Sequence, residues 1–244
     1  MTHALKSAII TGAGSGIGRA AALDLARRGF AVALVGRTNR TLEAVAVEIQ
    51  GAGGKAQVIV ADVSRPEETE RMAHQAMSAF GRIDALINNA GMVASVPLWK
   101  ITPERWAEVF QANLSSALFA SQAVWPMMER PSQGGGRGGI IVNISSMATR
   151  DPFPGLGAYA AAKAGLNMLT LVLAREGAAA GIRVIGIAPG SVDTPMFRGL
   201  MGDQPIQSLQ VMQPEEVGSV IAAAASGALS LASGETLYLH RTPA

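Results

Sequence analysis

The chain contains no cysteine among its 244 residues. That absence excludes disulfides, zinc sites with cysteine ligands and catalysis by a thiol, and it fits a reducing compartment. Charged residues make up only 16% of the chain, and its Lys and Arg residues are scattered rather than grouped in a block. We therefore expect no nucleic-acid partner, although the sequence pI is about 9.3.

Long apolar runs are also absent. The longest uncharged stretch near the end, residues 217–233, is interrupted by glycine and serine, so it is too short and too polar to span a bilayer. Residues 1–6 lead directly into a short apolar run, which leaves no room for a signal peptide. We expect a chain that makes no membrane contact and is located in the cytoplasm.

Apolar residues account for 49% of the chain, in short runs that alternate with longer helical patterns. The expected strands are residues 8–10, 31–35, 56–61, 85–87, 140–144, 184–188 and 236–239. The helical patterns cover residues 16–28, 41–50, 66–80, 103–128, 159–176 and 214–225. This alternation predicts an α/β fold, a Rossmann-type doubly wound, seven-stranded, mostly parallel sheet with helices on both faces. Because the apolar runs are continuous, we expect strands buried on both faces, in a single domain over residues 1–244.

A glycine-rich turn follows the first strand and opens the first helix, with the sequence Thr-Gly-Ala-Gly-Ser-Gly-Ile-Gly at residues 11–18. In doubly wound folds, ligands bind where the chain leaves the carboxyl ends of the strands. Glycine lets the backbone approach a pyrophosphate, and the helix N-terminus offers free N–H groups. We therefore predict a dinucleotide-binding turn formed by Gly12, Ser15, Gly16 and Ile17. The glycine-rich residues 51–54 and 134–139 lead into strands instead, which indicates surface turns.

The second strand ends at Gly36, where NAD-binding sites carry an acidic residue for the ribose hydroxyls. Arg37 follows at once, and a guanidinium suits a 2′-phosphate. The alternative is that Arg37 is an ordinary solvated residue. Asp62 and Val63 end the third strand, in position to receive the adenine edge. We expect NADP(H) to be the preferred cofactor, with NAD(H) as the alternative.

Tyr159 and Lys163 are four residues apart at the start of a strongly helical run, which places them on one helix face. A neighbouring ammonium favours the phenolate, so we expect Lys163 to lower the pKa of Tyr159 and help it transfer a proton. The alternative is an interfacial tyrosine beside a lysine that extends to solvent. Ser145 and Ser146 end the buried strand upstream and place hydroxyls at the same edge, unless they only form a turn or helix cap.

Together these motifs resemble those of the single-domain short-chain dehydrogenase/reductase family. The shared motifs, in the same order along nearly the whole chain, are residues 11–18, Asn-Asn-Ala-Gly at residues 88–91, Tyr159 with Lys163, and Pro189 with Gly190. The resemblance implies NAD(P)-dependent transfer of a hydride between the nicotinamide and a ketone or secondary alcohol. It also implies a homodimer or homotetramer, for which the apolar face of the helix beginning at Tyr159 provides a surface.

The resemblance further implies roles for individual residues. Tyr159 is the general acid/base, Lys163 holds the nicotinamide ribose and lowers the tyrosine pKa, and Asn113 anchors a water in the proton relay. The family serine lies thirteen residues before the tyrosine, which selects Ser146 over Ser145 as the group that binds the substrate oxygen. The other implied cofactor contacts are Asn89 at the adenosine ribose, with Val192 and Thr194 at the nicotinamide amide.

Two segments depart from the family pattern. Residues 239–244 lack the usual terminal glycine pair, which puts C-terminal subunit contacts in doubt, and the apolar lid expected over about residues 195–213 is short. His3, His74 and His240 occur in no ligand spacing, so we expect helix-surface or tail roles for them and no metal site.

Two further functions compete with reduction of a simple ketone. One is reduction of a 3-oxoacyl thioester, for which Arg130 and Arg175 would bind an acidic carrier protein. The other is a catalytically idle, nucleotide-sensing protein, because fold alone does not decide function. An enzyme is favoured by the intact set of Asn113, Ser146, Tyr159 and Lys163.

Overall fold

The computed structural model describes residues 5–129, 138–202 and 211–241. Its strands are β1 (Ser7–Thr11), β2 (Ala31–Gly36), β3 (Lys55–Val60), β4 (Ala85–Asn88), β5 (Ile140–Ile144), β6 (Arg183–Pro189) and β7 (Thr236–Leu239). They form one seven-stranded sheet in the order β3-β2-β1-β4-β5-β6-β7, and every neighbouring pair is parallel. The order reverses between β1 and β4, which is where doubly wound folds bind their ligands.

Helices cover both faces of this sheet. They are α1 (Gly16–Arg27), α2 (Asn39–Gly51), α3 (Pro66–Phe80), α4 (Pro103–Phe110), α5 (Ser116–Met128), α6 (Gly157–Gly177), α7 (Pro195–Met201) and α8 (Pro214–Ser226). Successive strand residues point to opposite faces. Ile10 therefore packs in one core cluster with α1, α2 and α8, whereas Ile9 packs in a second cluster with α3, α5 and α6. The predicted fold class is confirmed.

Burial differs between the centre and the edges of the sheet. β1, β4 and β5 are buried at every position, in line with helices on both faces. The expectation of full burial is wrong for β3, where Lys55, Gln57 and Val60 are exposed, and for β7, which is half-buried throughout. Both are edge strands, so each has a neighbouring strand on one side only.

Two helical segments differ from the sequence prediction. The single helix expected over residues 103–128 is α4 and α5 joined by a π-helical turn at Gln111–Ser115. Part of the expected lid forms α7, and the Thr194 Oγ1 caps that helix by accepting a 3.2 Å hydrogen bond from the Phe197 N–H. Residues 203–210 of the lid lie outside the described residues, as does Arg130.

Among the described helices, α6 alone is long and apolar enough to cross a membrane. One side of α6 is buried in the core through Ala162, Leu166 and Leu173. Helices packed in a protein core meet the same criterion, so α6 adds no evidence for a membrane span. Its outer side carries Met168 and Val172, which are 60% and 40% exposed.

Candidate active site

A cavity of about 520 Å³ opens at the carboxyl ends of β1, β4, β5 and β6. Its walls combine the glycine turn after β1 with the segments that follow the other three strands. The predicted site residues that line it are Gly12, Ser15, Gly16, Ile17, Asn89, Asn113, Ser146, Tyr159, Lys163, Val192 and Thr194. The sheet thus brings together residues that are far apart in the sequence.

The glycine turn has a shape that only glycine fits at its key positions. Gly12 and Gly16 have φ values of 66° and 51°, which L-residues with a side chain rarely adopt. A Cβ on Gly18 would overlap the Gly12 carbonyl oxygen, and one on Gly16 would lie 2.9 Å from the Thr194 Cγ2. The turn therefore presents bare backbone and the N-terminus of α1 to the cavity. This cradle fits the pyrophosphate of a dinucleotide.

Asn89 fastens the end of β4 to this turn. Its Nδ2 donates hydrogen bonds of 3.0 Å to the Thr11 carbonyl and 3.2 Å to the Gly12 carbonyl. The Thr11 hydroxyl accepts hydrogen bonds from the N–H groups of Asn89 and Ala90, each at 3.0 Å. Asn89 therefore fixes the shape of the turn in addition to lining the cavity.

Tyr159 lies in the first turn of α6, and the Ser146 side chain is close enough to its hydroxyl to influence the pKa of that group. Ser146 follows β5, and its Oγ accepts a 3.1 Å hydrogen bond from the Ala148 N–H. Ser145 is buried, and its hydroxyl donates instead to the Lys163 carbonyl at 3.3 Å. The geometry therefore pairs Tyr159 with Ser146 rather than with Ser145.

Burial raises the pKa of the Tyr159 hydroxyl, and the Ser146 side chain only partly opposes that rise. The pKa of Tyr159 therefore shifts upward overall, which is opposite to the fall expected from the Lys163 ammonium. The physical reason is that the Lys163 Nζ lies 5.7 Å from the ring centroid and donates to the Ile144 carbonyl at 2.7 Å. A tyrosine with a raised pKa keeps its proton at neutral pH.

Lys163 is only 4% exposed, and burial lowers its pKa to about 8. The side chain is therefore still mainly an ammonium at neutral pH. Gly91 makes room for Asn113 beside it, because a Cβ on Gly91 would lie only 2.6 Å from the Asn113 Oδ1, while its distance to the Lys163 Nζ would be an ordinary 3.6 Å.

Asn113 lies in the π-helical turn and is almost fully buried. Its Nδ2 donates to the Met92 carbonyl at 2.8 Å and to the Val109 carbonyl at 2.9 Å, and its Oδ1 accepts from the Met92 N–H at 3.3 Å. The side chain thus holds the loop after β4 in place. A π-helical turn interrupts the regular pattern of helix hydrogen bonds and occurs frequently at functional sites. Nothing in the sequence pattern indicated it.

Arg37, Asp62 and Val63 lie at the ends of β2 and β3 and are not among the cavity walls. Arg37 is exposed, whereas the Val63 side chain is buried in the core. Burial would raise the pKa of Asp62, but hydrogen bonds from Ser64 and the charges of Arg37 and Arg65 hold that pKa below its ordinary value. Arg37 and Asp62 are thus close enough to interact at this edge of the sheet.

Sequence reasoning missed part of the cavity wall, namely Met147, His240 and Arg241. His240 lies in the exposed segment after β7, as expected, but it also lines the cavity, where its Cβ is near Gly190. No local signal could have found it, since only the pairing of β6 with β7 brings it there. His74 is exposed on α3, as expected, and His3 lies outside the described residues. Within the described ranges, no group of His, Asp and Glu could hold a metal ion.

Comparisons with known proteins identify the family. The family profile described as short chain dehydrogenase matches residues 6–205. A 3-oxoacyl-[acyl-carrier-protein] reductase FabG from Staphylococcus epidermidis is 34% identical over 243 residues, which cover 96% of this chain and 97% of the relative. A 3-oxoacyl-[acyl-carrier-protein] reductase from Synechocystis is 34% identical over 218 residues, which cover 88% of this chain and 86% of the relative.

Solved structures agree with this relationship. A 3-ketoacyl-(acyl-carrier-protein) reductase from Brucella melitensis, complexed with NADH, superposes with a TM-score of 0.88 at 29% identity, covering 96% of each chain. A putative short-chain alcohol dehydrogenase from Sinorhizobium meliloti has a TM-score of 0.87 at 31% identity, covering 96% of this chain and 94% of the other. The chain therefore belongs to the short-chain dehydrogenase/reductase family. It is an oxidoreductase that works with a nicotinamide cofactor, as the sequence predicted.

Proposed function

We propose that the chain is an NADPH-dependent reductase of ketones, with Tyr159 as the proton donor. The observation that carries this proposal is that Ser146, Tyr159 and the buried Lys163 line one cavity together with the glycine turn. NADPH, when bound, supplies the hydride. Tyr159 keeps its proton at neutral pH, so its hydroxyl has a proton to give to the carbonyl oxygen.

The other polar residues of the cavity assist that transfer. Ser146 donates a hydrogen bond to the carbonyl oxygen and holds it near Tyr159. Lys163 supports the nicotinamide ribose, and its ammonium favours the negative charge that Tyr159 carries after the transfer. Asn113 fixes the loop after β4 beside Lys163 and anchors a water through which Tyr159 regains its proton.

The cofactor lies along the carboxyl edge of the sheet. We assign the pyrophosphate to the turn formed by Gly12, Ser15, Gly16 and Ile17, the adenosine ribose to Asn89, and the nicotinamide amide to Val192 and Thr194. Asp62 and the backbone of Val63 receive the adenine. Arg37 binds the 2′-phosphate, since Gly36 supplies no carboxylate to repel it. Arg37 and Asp62 lie near each other at this edge of the sheet, because the charge of Arg37 helps to lower the pKa of Asp62.

The substrate side of the cavity is mainly apolar. Met147, Phe153, Leu156, Met196 and Leu200 line it, which suits a ketone with apolar substituents. We propose that residues 195–213 form the lid of a single domain over residues 1–244, and that the enzyme works in the cytoplasm.

Reduction of a 3-oxoacyl thioester is the second candidate. The relatives named 3-oxoacyl-[acyl-carrier-protein] reductase favour it. Arg175 is exposed on α6 and does not line the cavity, so its charge is available to an acidic carrier protein. Arg130, the other cation assigned to that surface, lies outside the described residues.

A substrate panel tests these readings. NADPH oxidation is followed with simple ketones and with 3-oxoacyl thioesters, using the Tyr159→Phe variant as the control. We expect turnover with at least one class and its loss in the variant. Binding of NADPH without turnover of any carbonyl would instead identify the nucleotide-sensing protein.

A further inference from the structure

The edge strand β7 reaches the catalytic serine through a small polar cluster. The hydroxyls of Tyr238 and Thr149 lie 2.9 Å apart. The Asn167 Nδ2 donates to both, at 3.1 Å to Tyr238 and 3.3 Å to Thr149. Residues from β7, from the turn after β5 and from α6 therefore meet at one point.

The supply of protons fixes the direction of these hydrogen bonds. A hydroxyl has one proton to donate, and that of Thr149 goes to the Ser146 carbonyl at 2.9 Å. Tyr238 must therefore donate to Thr149, while it accepts from Asn167. The result is a directed chain of hydrogen bonds from Asn167 through Tyr238 and Thr149 to Ser146.

This series of hydrogen bonds ends at the backbone carbonyl of Ser146, in the short turn after β5. The Thr149 N–H also donates to the Ser146 carbonyl, at 3.2 Å, so Thr149 holds that carbonyl with two groups. The Ser146 side chain lines the cavity together with Tyr159 and is close enough to influence the pKa of its hydroxyl. A rotation of the turn would therefore change the geometry between Ser146 and Tyr159.

The Tyr238 ring is itself held in place. The guanidinium carbon of Arg150 lies 3.5 Å from the ring centroid, which is close for a cation–π contact. β7 pairs with β6 in parallel register, with Tyr238 opposite Ala188. The hydroxyl of Tyr238 is thus fixed both by the strand and by Arg150.

We propose that Tyr238 is a positioning residue for catalysis, which acts through Thr149 to hold Ser146 in its alignment with Tyr159. The proposal rests on the proposed function, since it concerns the rate of proton transfer in that reaction. Loss of one neutral hydrogen bond in the series from Asn167 to Ser146 should lower kcat roughly three- to ten-fold. Cofactor binding should not change, because the cluster does not touch the glycine turn.

A double-mutant cycle tests the proposal. The proteins are Tyr238→Phe, Thr149→Val and the double variant, each measured for kcat, for the NADPH dissociation constant and for Tm. We expect each single change to lower kcat roughly three- to ten-fold. The kcat of the double variant should be no lower than that of the less active single variant, because both changes break the same series of hydrogen bonds. Thr149→Ser keeps the hydroxyl and should restore most of the rate. Thr236→Val is the matched control, because Thr236 is on the same strand but faces Gly186.

The contrary results are distinct. An unchanged kcat in Tyr238→Phe, or independent losses that multiply in the double variant, would overturn the proposal. A fall in Tm with an unchanged kcat would assign the cluster a purely structural role and would also overturn it. Tyr159→Phe, measured in parallel, separates this failure from that of the proposed function. If Tyr159→Phe stays active, the proton donor is wrong, whereas if it is inactive and the cycle is flat, only the role of Tyr238 is wrong.

Discussion

The two halves of the sheet contribute to the cavity by different physical means. On the β1–β3 side, the chain offers mainly backbone, because Gly12 and Gly16 of the turn place no side chain in the cavity. On the β4–β7 side, it offers side chains, with Tyr159, Ser146 and Lys163 supplied from two separate segments. The first half can bind a phosphate wherever such a turn occurs. The second half works only when several elements are correctly packed.

The same contrast applies to charge. Arg37 is exposed at the end of β2, where solvent and salt weaken its interactions. Lys163 is 4% exposed, and burial shifts its pKa strongly. We therefore expect substitutions on the β1–β3 side to change which cofactor binds, and substitutions on the β4–β7 side to change the chemistry.

The largest effect is expected from Tyr159→Phe. This change removes the proton donor and keeps the ring, so turnover should fall by about 10²–10⁴-fold, the usual contribution of general acid/base catalysis. The NADPH dissociation constant should change little. Steady-state NADPH oxidation and a binding titration on the same sample measure both quantities. Near-normal turnover would mean that the side chains on the β4–β7 side of the sheet do not carry the proton transfer.

Next comes the double change Gly36→Asp with Arg37→Ile. A carboxylate at position 36 would accept hydrogen bonds from free ribose hydroxyls and repel a 2′-phosphate, and there is space for it, since a Cβ there meets Leu42 at 3.4 Å. A hydrogen bond to a charged group contributes about 1.5–3 kcal/mol. The preference for NADPH over NADH should therefore reverse, by roughly ten- to a hundred-fold. The dissociation constants of both cofactors decide this, and equal affinities in the unmodified chain would show that Arg37 only faces solvent.

Lys163→Met should change the pH dependence of stability. The pKa of Lys163 falls from 10.5 to about 8 on burial, so between these pH values the unfolded chain binds more protons than the folded one. The free energy of unfolding should therefore rise with pH across this window, by up to about 3 kcal/mol. Lys163→Met should lose that rise, whereas Lys55→Met, at an exposed site on β3, should keep it. Chemical denaturation at several pH values measures the difference, and identical slopes in all three proteins would contradict the account.

The smallest effect is expected on the oligomeric state of the protein. The outer side of α6 exposes Met168 and Val172, and we expect it to form a contact between copies in a homodimer or homotetramer. Light scattering at micromolar concentration should give a multiple of the chain mass. Met168→Asp should weaken the assembly, whereas Met196→Asp, an exposed methionine on α7, should not. A monomeric unmodified chain would refute this prediction.

The sequence predicted those features that arise from local patterns. The strands β5 and β7 fall at the expected residues because short apolar runs end at clear turns. The glycine turn was predictable because its glycines recur at short spacing directly after a strand, although the atoms that exclude a side chain there include the distant Thr194. The π-helical turn at Gln111–Ser115 was not predictable, because it depends on contacts between Asn113 and the loop after β4. The predicted fall in the pKa of Tyr159 was not observed for a similar reason, since burial raises that pKa and burial depends on how the whole chain packs.

The account is tested most directly by following the hydride itself. NADPH that carries deuterium at both hydrogen positions of the nicotinamide C4 is incubated with the enzyme and with an accepted ketone or 3-oxoacyl substrate, and the product is analysed by mass spectrometry. We predict one deuterium on the carbinol carbon for each NADPH oxidised, and no transfer in Tyr159→Phe over the same time. Tight binding of NADPH without deuterium in any product would contradict the account, because the cavity would then bind the nucleotide without using its hydride.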